Sequence, residues 1–171
     1  MYDSTRLERY YKLINKENMI KKFIQKMLDI HPNAISFEET LNLTGLPIIS
    51  MKQWDEKEQQ DKVFNFILDT GSDVNVIDDN ILDQLNYEVL KAKGTVYGVD
   101  GKRVKTKVLN ITFSHKDRDY PYVWLARDMS EPFGNMKKDY GVNLHGIIGS
   151  RFFNEYKYIL DFKDLKAYSK A

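Results

Sequence analysis

Apolar positions recur at two different periods along this 171-residue chain. Near the N-terminus the spacing is helical. Leu7, Tyr10, Tyr11 and Ile14, then Ile20, Phe23, Ile24, Met27 and Leu28, each fall on one face of a 3.6-residue repeat. Asn15-Lys16-Glu17-Asn18 divides the run into two helices over residues 1 to 30. His31-Pro32-Asn33 ends the second, because a residue before proline is pushed off helical backbone. Two short amphipathic helices cannot bury both faces, so they are expected to pack on the rest of the chain or on a partner. Residues 1–44 therefore read as an N-terminal helical extension.

From Gly45 the period shortens to that of strands. Leu46 to Met51 and Val63 to Leu68 are apolar runs joined by a charged turn, Asp55 to Asp61, and predict a hairpin. Asp79 to Leu85 predicts a short helix. Val89 to Val99 and Val104 to Phe113 predict strands around Gly98-Val99-Asp100-Gly101, where Asp-Gly is a hairpin signal. Ser114 to Asp119 reads as a polar turn, Tyr120 to Ala126 as a strand, and Met129 to Val142, with Pro132, Gly134 and Gly141, as a loop. Gly146-Ile147-Ile148-Gly149 precedes a short helix over Ser150 to Tyr156. Tyr158 to Phe162 and Leu165 to Tyr168 close the chain as a hairpin. Many short strands with tight turns predict a mostly β domain over residues 45–171, a small closed barrel or sandwich with a short C-terminal helix.

Composition narrows the chemistry. There is no cysteine, which removes disulfides, thiolate nucleophiles and cysteine-ligated zinc. The three histidines, His31, His115 and His145, are far apart, form no metal-binding pattern, and read as surface or loop residues. A net charge of +1 gives no case for nucleic acid or an acidic membrane surface. Lys21, Lys22 and Lys26 are interleaved with acids, which argues against a membrane anchor. No run is long enough to cross a bilayer, and Met1 to Arg6 lacks an apolar signal core, so a cytoplasmic location is expected.

The glycines near Gly94, Gly98 and Gly101 match neither the dinucleotide pattern nor a phosphate-binding loop. Ser150 has no assignable histidine–acid partners and reads as a helix cap. One stretch remains: Phe66-Ile67-Leu68-Asp69-Thr70-Gly71-Ser72-Asp73. Asp69-Thr70-Gly71 alone is a turn that average residue usage would place in roughly one chain in thirty of this length. Its setting says more. An apolar strand leads into a carboxylate, which is costly to bury without partners. Gly71 lets backbone N–H groups approach that carboxylate. Thr70 and Ser72 bring hydroxyls to the loop, and that of Ser72 is in reach of Asp69. Ile147-Ile148-Gly149 adds a second buried strand ending in glycine.

Together these motifs resemble the retropepsin-like aspartic proteases of the bacterial type. That family carries an apolar pair before Asp-Thr/Ser-Gly, here Ile67-Leu68-Asp69-Thr70-Gly71-Ser72. A glycine-bearing flap follows, here Tyr97 to Lys102, and then an apolar pair before glycine and a short helix, here Ile147-Ile148-Gly149. The resemblance spans about Leu46 to Tyr168. Retroviral members place an arginine directly after the second glycine, paired with the acid at the fifth position of the first motif. Here Ser150 intervenes before Arg151, so a pair with Asp73 is not assured by the spacing.

The resemblance implies an aspartic endopeptidase. The chain has a single Asp-Thr-Gly motif, so the site would need two copies meeting at a two-fold axis, a homodimer with its two Asp69 carboxylates together. Asp69, Thr70 and Gly71 are the implied catalytic residues. Ser72, Asp73, Tyr97, Gly98, Val99, Asp100 and Gly101 are the implied contacts of a peptide or protein substrate, held against the flap as an added strand. An exposed hairpin with no such role is an equal reading of residues 97–101. No metal or organic cofactor is implied. The alternative reading is a retropepsin-like dimerisation or peptide-binding module without turnover.

Overall fold

The computed structural model describes residues 35–97 and 103–169. The helices expected over residues 1 to 30, and the Gly98 to Gly101 turn, lie outside them.

Strand β2 (Gln60–Asp69) is the axis of the fold. It pairs antiparallel with β1 (Ile48–Asp55), from Ile48 opposite Ile67 to Asp55 opposite Gln60. This is the expected hairpin with a shorter turn. β3 (Asn75–Asp78) follows, then a 3-10 helix (Asp79–Gln84), β4 (Glu88–Tyr97) and β5 (Arg103–His115). Next come β6 (Arg118–Arg127), a helix (Ser130–Tyr140), β7 (Gly146–Gly149), a short helix (Ser150–Glu155), β8 (Tyr158–Asp161) and β9 (Lys166–Ser169). Ahead of them all is α1 (Phe37–Thr44), so the two later helices are α2 and α3.

The sheet order is β1-β2-β7-β3-β6-β5-β4, and β1 also bonds β5 at Lys52 and Ser114. Six strands thus close into a barrel, and β4 extends from β5 outside it. The single β1–β5 bridge joins the two sides of the sheet. β8 and β9 form a separate two-stranded hairpin, as expected.

Alternation along β2 sets the layers. Phe64, Phe66 and Leu68 point into the barrel and are almost fully buried. There Phe64, Phe66, Phe113 and Trp124 stack with ring centroids 4.9–5.6 Å apart, mostly edge to face. Ile67 points the other way, into a smaller cluster of Ile35, Ile48, Phe133, Val142 and Leu144. Asp69 shares the face of Ile67, because side chains two apart in a strand lie on the same side.

α1 is specified locally. Ser36 caps it by accepting from the Glu39 N–H at 3.1 Å, Glu39 reaches back to the Ser36 N–H, and Gly45 ends it at φ +73°. Phe37 enters the main core, and the Thr40 hydroxyl lies 3.1 Å from the Ile48 carbonyl. The helix is therefore seated on the barrel.

Three expectations change. The stretch read as a loop over Met129 to Val142 contains the eleven-residue helix α2. Pro132 lies in its first turn, where a backbone N–H would have no helical partner, and Gly141 (φ +72°) ends it by donating to the Lys137 carbonyl. Proline and glycine here punctuate a helix rather than exclude one. The polar turn over Ser114 to Asp119 shrinks to Lys116-Asp117. Both have positive φ, +49° and +61°, as a two-residue hairpin between right-twisted strands requires. Ser150 is not a cap: Gly149 holds that position without a side-chain bond, and Ser150 opens the helix.

Candidate active site

Asp69 ends β2 and is half-buried. Its Oδ1 accepts from the Gly71 N–H at 2.8 Å, as the motif predicts. The same glycine keeps that contact open, since a Cβ there would lie 3.2 Å from Oδ1. Thr70 and Gly71 are exposed beside it. The Ser72 hydroxyl turns away from Asp69 and donates to the Val74 carbonyl at 2.8 Å, so it braces the loop rather than the carboxylate.

What fixes this loop is the strand threaded between its two ends. β7 lies parallel to β2 and antiparallel to β3, although β2 and β3 are joined directly by the loop over residues 70 to 74. In register, Asp69 sits opposite Gly149. The loop passes over the end of β7 so closely that a Cβ at Gly149 would meet the Val74 carbonyl oxygen at 2.5 Å and that of Ser72 at 2.9 Å. Two bonds fasten the crossing. The Ser150 N–H donates to the Ser72 carbonyl at 2.7 Å, and the Gly149 N–H to Asn75 Oδ1 at 2.8 Å. The two motifs, some eighty residues apart in sequence, are thus one piece of backbone.

Arg151 reaches Asp73 at 3.2 Å despite the intervening Ser150. One helical step is enough to bring the guanidinium to the loop. Both side chains are about 70% exposed, so the pair contributes little stability by itself.

Asn75 escaped the sequence reading. It is buried, and its amide oxygen is the tie between β3 and Gly149, while its Nδ2 has no hydrogen-bond partner among the described residues. No local pattern marks such a residue, because its partner is 74 positions away. Beside it lies a groove of about 510 Å³ whose lining includes Asp73, Asn75, Arg151, Gly94, Val108 and Leu125. Asp69 does not line this groove. Tyr97 ends β4 opposite Arg103 of β5, so residues 98–102 connect neighbouring strand ends. Gly98, Val99, Asp100 and Gly101 themselves lie outside the described residues.

The histidines depart from expectation in part. His145 lies in the loop before β7, as expected, and His115 ends β5; both are half-buried rather than on the open surface, and His31 lies outside the described span. His115 Nδ1 lies 2.8 Å from the Tyr158 hydroxyl, and burial lowers its pKa to about 4, helped by Lys116. His145 Nδ1 accepts from the Asn65 N–H at 2.8 Å, and burial lowers it to about 4 as well. Tyr158 is pushed far up by burial and so stays a neutral phenol.

Asp78, Asp79 and Asp128 could each turn one carboxylate oxygen toward a common point, all within 4.8 Å of one another. Burial, with Asp128 and Asp78 nearby, raises the Asp79 pKa. Asp78 already accepts from the Asn80 N–H, the Asn80 amide and the Met129 N–H. Asp128 accepts from Asn80 and from the Ser130 N–H. The cluster is a hydrogen-bonded corner joining β3 to the start of α2.

No family model and no curated protein matches this chain. Among solved structures it is similar to EIAV protease complexed with the inhibitor HBY-793. That match has 24% identity, covers 54% of this chain and 76% of that one, and has a TM-score of 0.40. It is also similar to the retroviral protease-like domain of Ddi1 from Leishmania major, at 8% identity over 70% of this chain and 85% of that one, with a TM-score of 0.42. The fold class is the expected one: mostly β, closed into a barrel, with a short helix directly after β7.

Proposed function

We propose that this chain is one half of an aspartic endopeptidase, a barrel domain over residues 45–171 that pairs with a second copy of itself. The observation that carries the reading is the crossing of the Asp69 loop over Gly149. A rigid backbone device holds a half-buried carboxylate at a strand end, with exposed Thr70 and Gly71 beside it. Such a device holds one acid only. Peptide hydrolysis of this type takes two, and a two-fold axis near Asp69 would supply the second.

Two Asp69 carboxylates a few ångströms apart cannot both ionise easily, so they would share one proton and titrate as a unit. The charged partner takes a proton from a water lying between them, and that water attacks the peptide carbonyl. The protonated partner donates to the carbonyl oxygen. The roles reverse as the amide nitrogen is protonated and leaves. Asp73, tied to Arg151, would meet the substrate backbone at the groove, and residues 97–101 would close over it. The substrate is an extended peptide or protein segment, and no cofactor enters the scheme.

The groove that touches Asp73 and Asn75 but not Asp69 favours a second reading, a module that binds peptide without cleaving it. The Asp69→Asn variant separates the two. It should lower cleavage of an unfolded protein by about 10³-fold or more while unfolding and self-association stay unchanged. A wild-type protein that cleaves no peptide library between mildly acid and neutral pH would favour the binding module.

A further inference from the structure

His145 stands where three strands of the crossing meet. Its side chain and both backbone groups are all engaged. Nδ1 accepts from the Asn65 N–H of β2 at 2.8 Å, and its own N–H donates to the Asn65 carbonyl at 2.9 Å. Its carbonyl accepts from the Asp78 N–H of β3 at 2.9 Å. The ring stands edge-on to Phe64, with centroids 5.4 Å apart at 86°. The Asn65 amide completes the corner by donating to the Asn143 carbonyl at 2.9 Å. The next residue, Gly146, begins β7, and a Cβ there would lie 2.4 Å from the Val76 carbonyl, so the strand enters between β2 and β3 with no slack.

We infer that His145 is a positioning residue, an acid-sensitive clip that holds β7 between β2 and β3 and thereby sets the lower pH limit at which the Asp69 loop keeps its shape. The inference rests on the protease reading for its meaning, but not for its test. An imidazole nitrogen that accepts from a peptide N–H must carry no proton. Protonation would set N–H against N–H at the Asn65 contact and place a cation at the edge of the Phe64 ring. That opposes the pairing of β7 with β2, the register that places Gly149 beside Asp69. Burial favours the neutral ring. The Asn65 backbone and the Asp78 carboxylate pull the other way. Among the described residues, Asp78 is the charged side chain that acts on the ring. His115 is also half-buried, but it contacts Tyr158 of the C-terminal hairpin, so its protonation does not bear on β7.

The test is amide hydrogen exchange on the whole protein as a function of pH, with no substrate present. In a His115→Gln background, which serves as the wild type of this comparison because no second low-pKa histidine then titrates at the end of β5, protection at Asn65 and Asp78 should fall by about tenfold between about pH 6.5 and pH 5 relative to Ile111, whose amide reports opening of the β5–β6 hairpin. In His145→Asn, whose amide oxygen can accept from the same N–H without titrating, the differential fall should vanish. A parallel fall at Asn65, Asp78 and Ile111 in the wild type would overturn the clip. So would a differential fall that persists in His145→Asn. If that variant does not fold, the wild-type comparison alone decides. Because cleavage is not read, a protein without peptidase activity leaves this outcome unaffected.

Discussion

The Asp69 end of the molecule and the C-terminal hairpin are held by different means. Around Asp69 the fastening is backbone: strand crossings, glycines that admit no Cβ, and bonds from Gly149 and Ser150 to the loop. Around the β8–β9 hairpin it is side chains. Phe152 packs on Tyr120, Tyr122, Tyr156 and Tyr158, Arg118 lies over the Tyr120 and Tyr156 rings, and Tyr120 and Arg118 both reach Ser169. Lys116 donates to the Ala167 carbonyl. Backbone fastening resists small displacements of one carboxylate, which a reaction needs. Aromatic packing supplies stability through buried area and tolerates local adjustment. The hairpin that ends the described residues is therefore committed to its own barrel.

The largest stability effects should come from one change at each end. Phe152→Ala empties the aromatic cluster and should cost about 3–5 kcal/mol in urea unfolding, while leaving activity per folded molecule near that of the wild type. Gly149→Ala drives a Cβ into carbonyl oxygens 2.5 and 2.9 Å away. It should cost about 3 kcal/mol, and the activity of the remaining folded protein should fall as well, since the loop must move. Equal loss of specific activity in both variants would erase the contrast.

Acid should act on both ends. His115 and His145 titrate near 4 when folded, below the ordinary 6.5. Between those values the unfolded chain binds more protons, so stability is full above pH 6.5 and is lost as pH falls toward 4. The loss should approach about 3 kcal/mol per histidine. Urea midpoints measured across this window check it, and a flat profile would contradict the buried, neutral assignment. The smallest effect is expected from Arg151→Ala, about 1 kcal/mol or less in stability because the pair with Asp73 is exposed. Any larger effect should appear in substrate affinity.

Much of the barrel was legible in the sequence, because alternating apolar runs and tight turns are local. The strand at Phe66-Ile67-Leu68, the Gly71 contact and the strand ending at Gly149 were all readable from their neighbours. Other features were hidden for physical reasons. Helix α2 was masked by a proline in its first turn and a glycine inside it, residues that signal loops only when their position in a helix is ignored. The roles of Asn75 and His145 depend on partners 74 and 80 positions away. The Arg151–Asp73 pair depends on the turn of α3, which residue spacing alone does not specify.

Under the proposed function, two chains each give one Asp69 to a single site. Mixing wild-type and Asp69→Asn protein at constant total concentration, with time for subunits to exchange, tests it most directly. If each site needs an Asp69 from both copies, activity follows the square of the wild-type fraction, and an equal mixture keeps about a quarter of the original rate. An equal mixture that keeps half the rate would mean that each chain works alone, and would contradict the account.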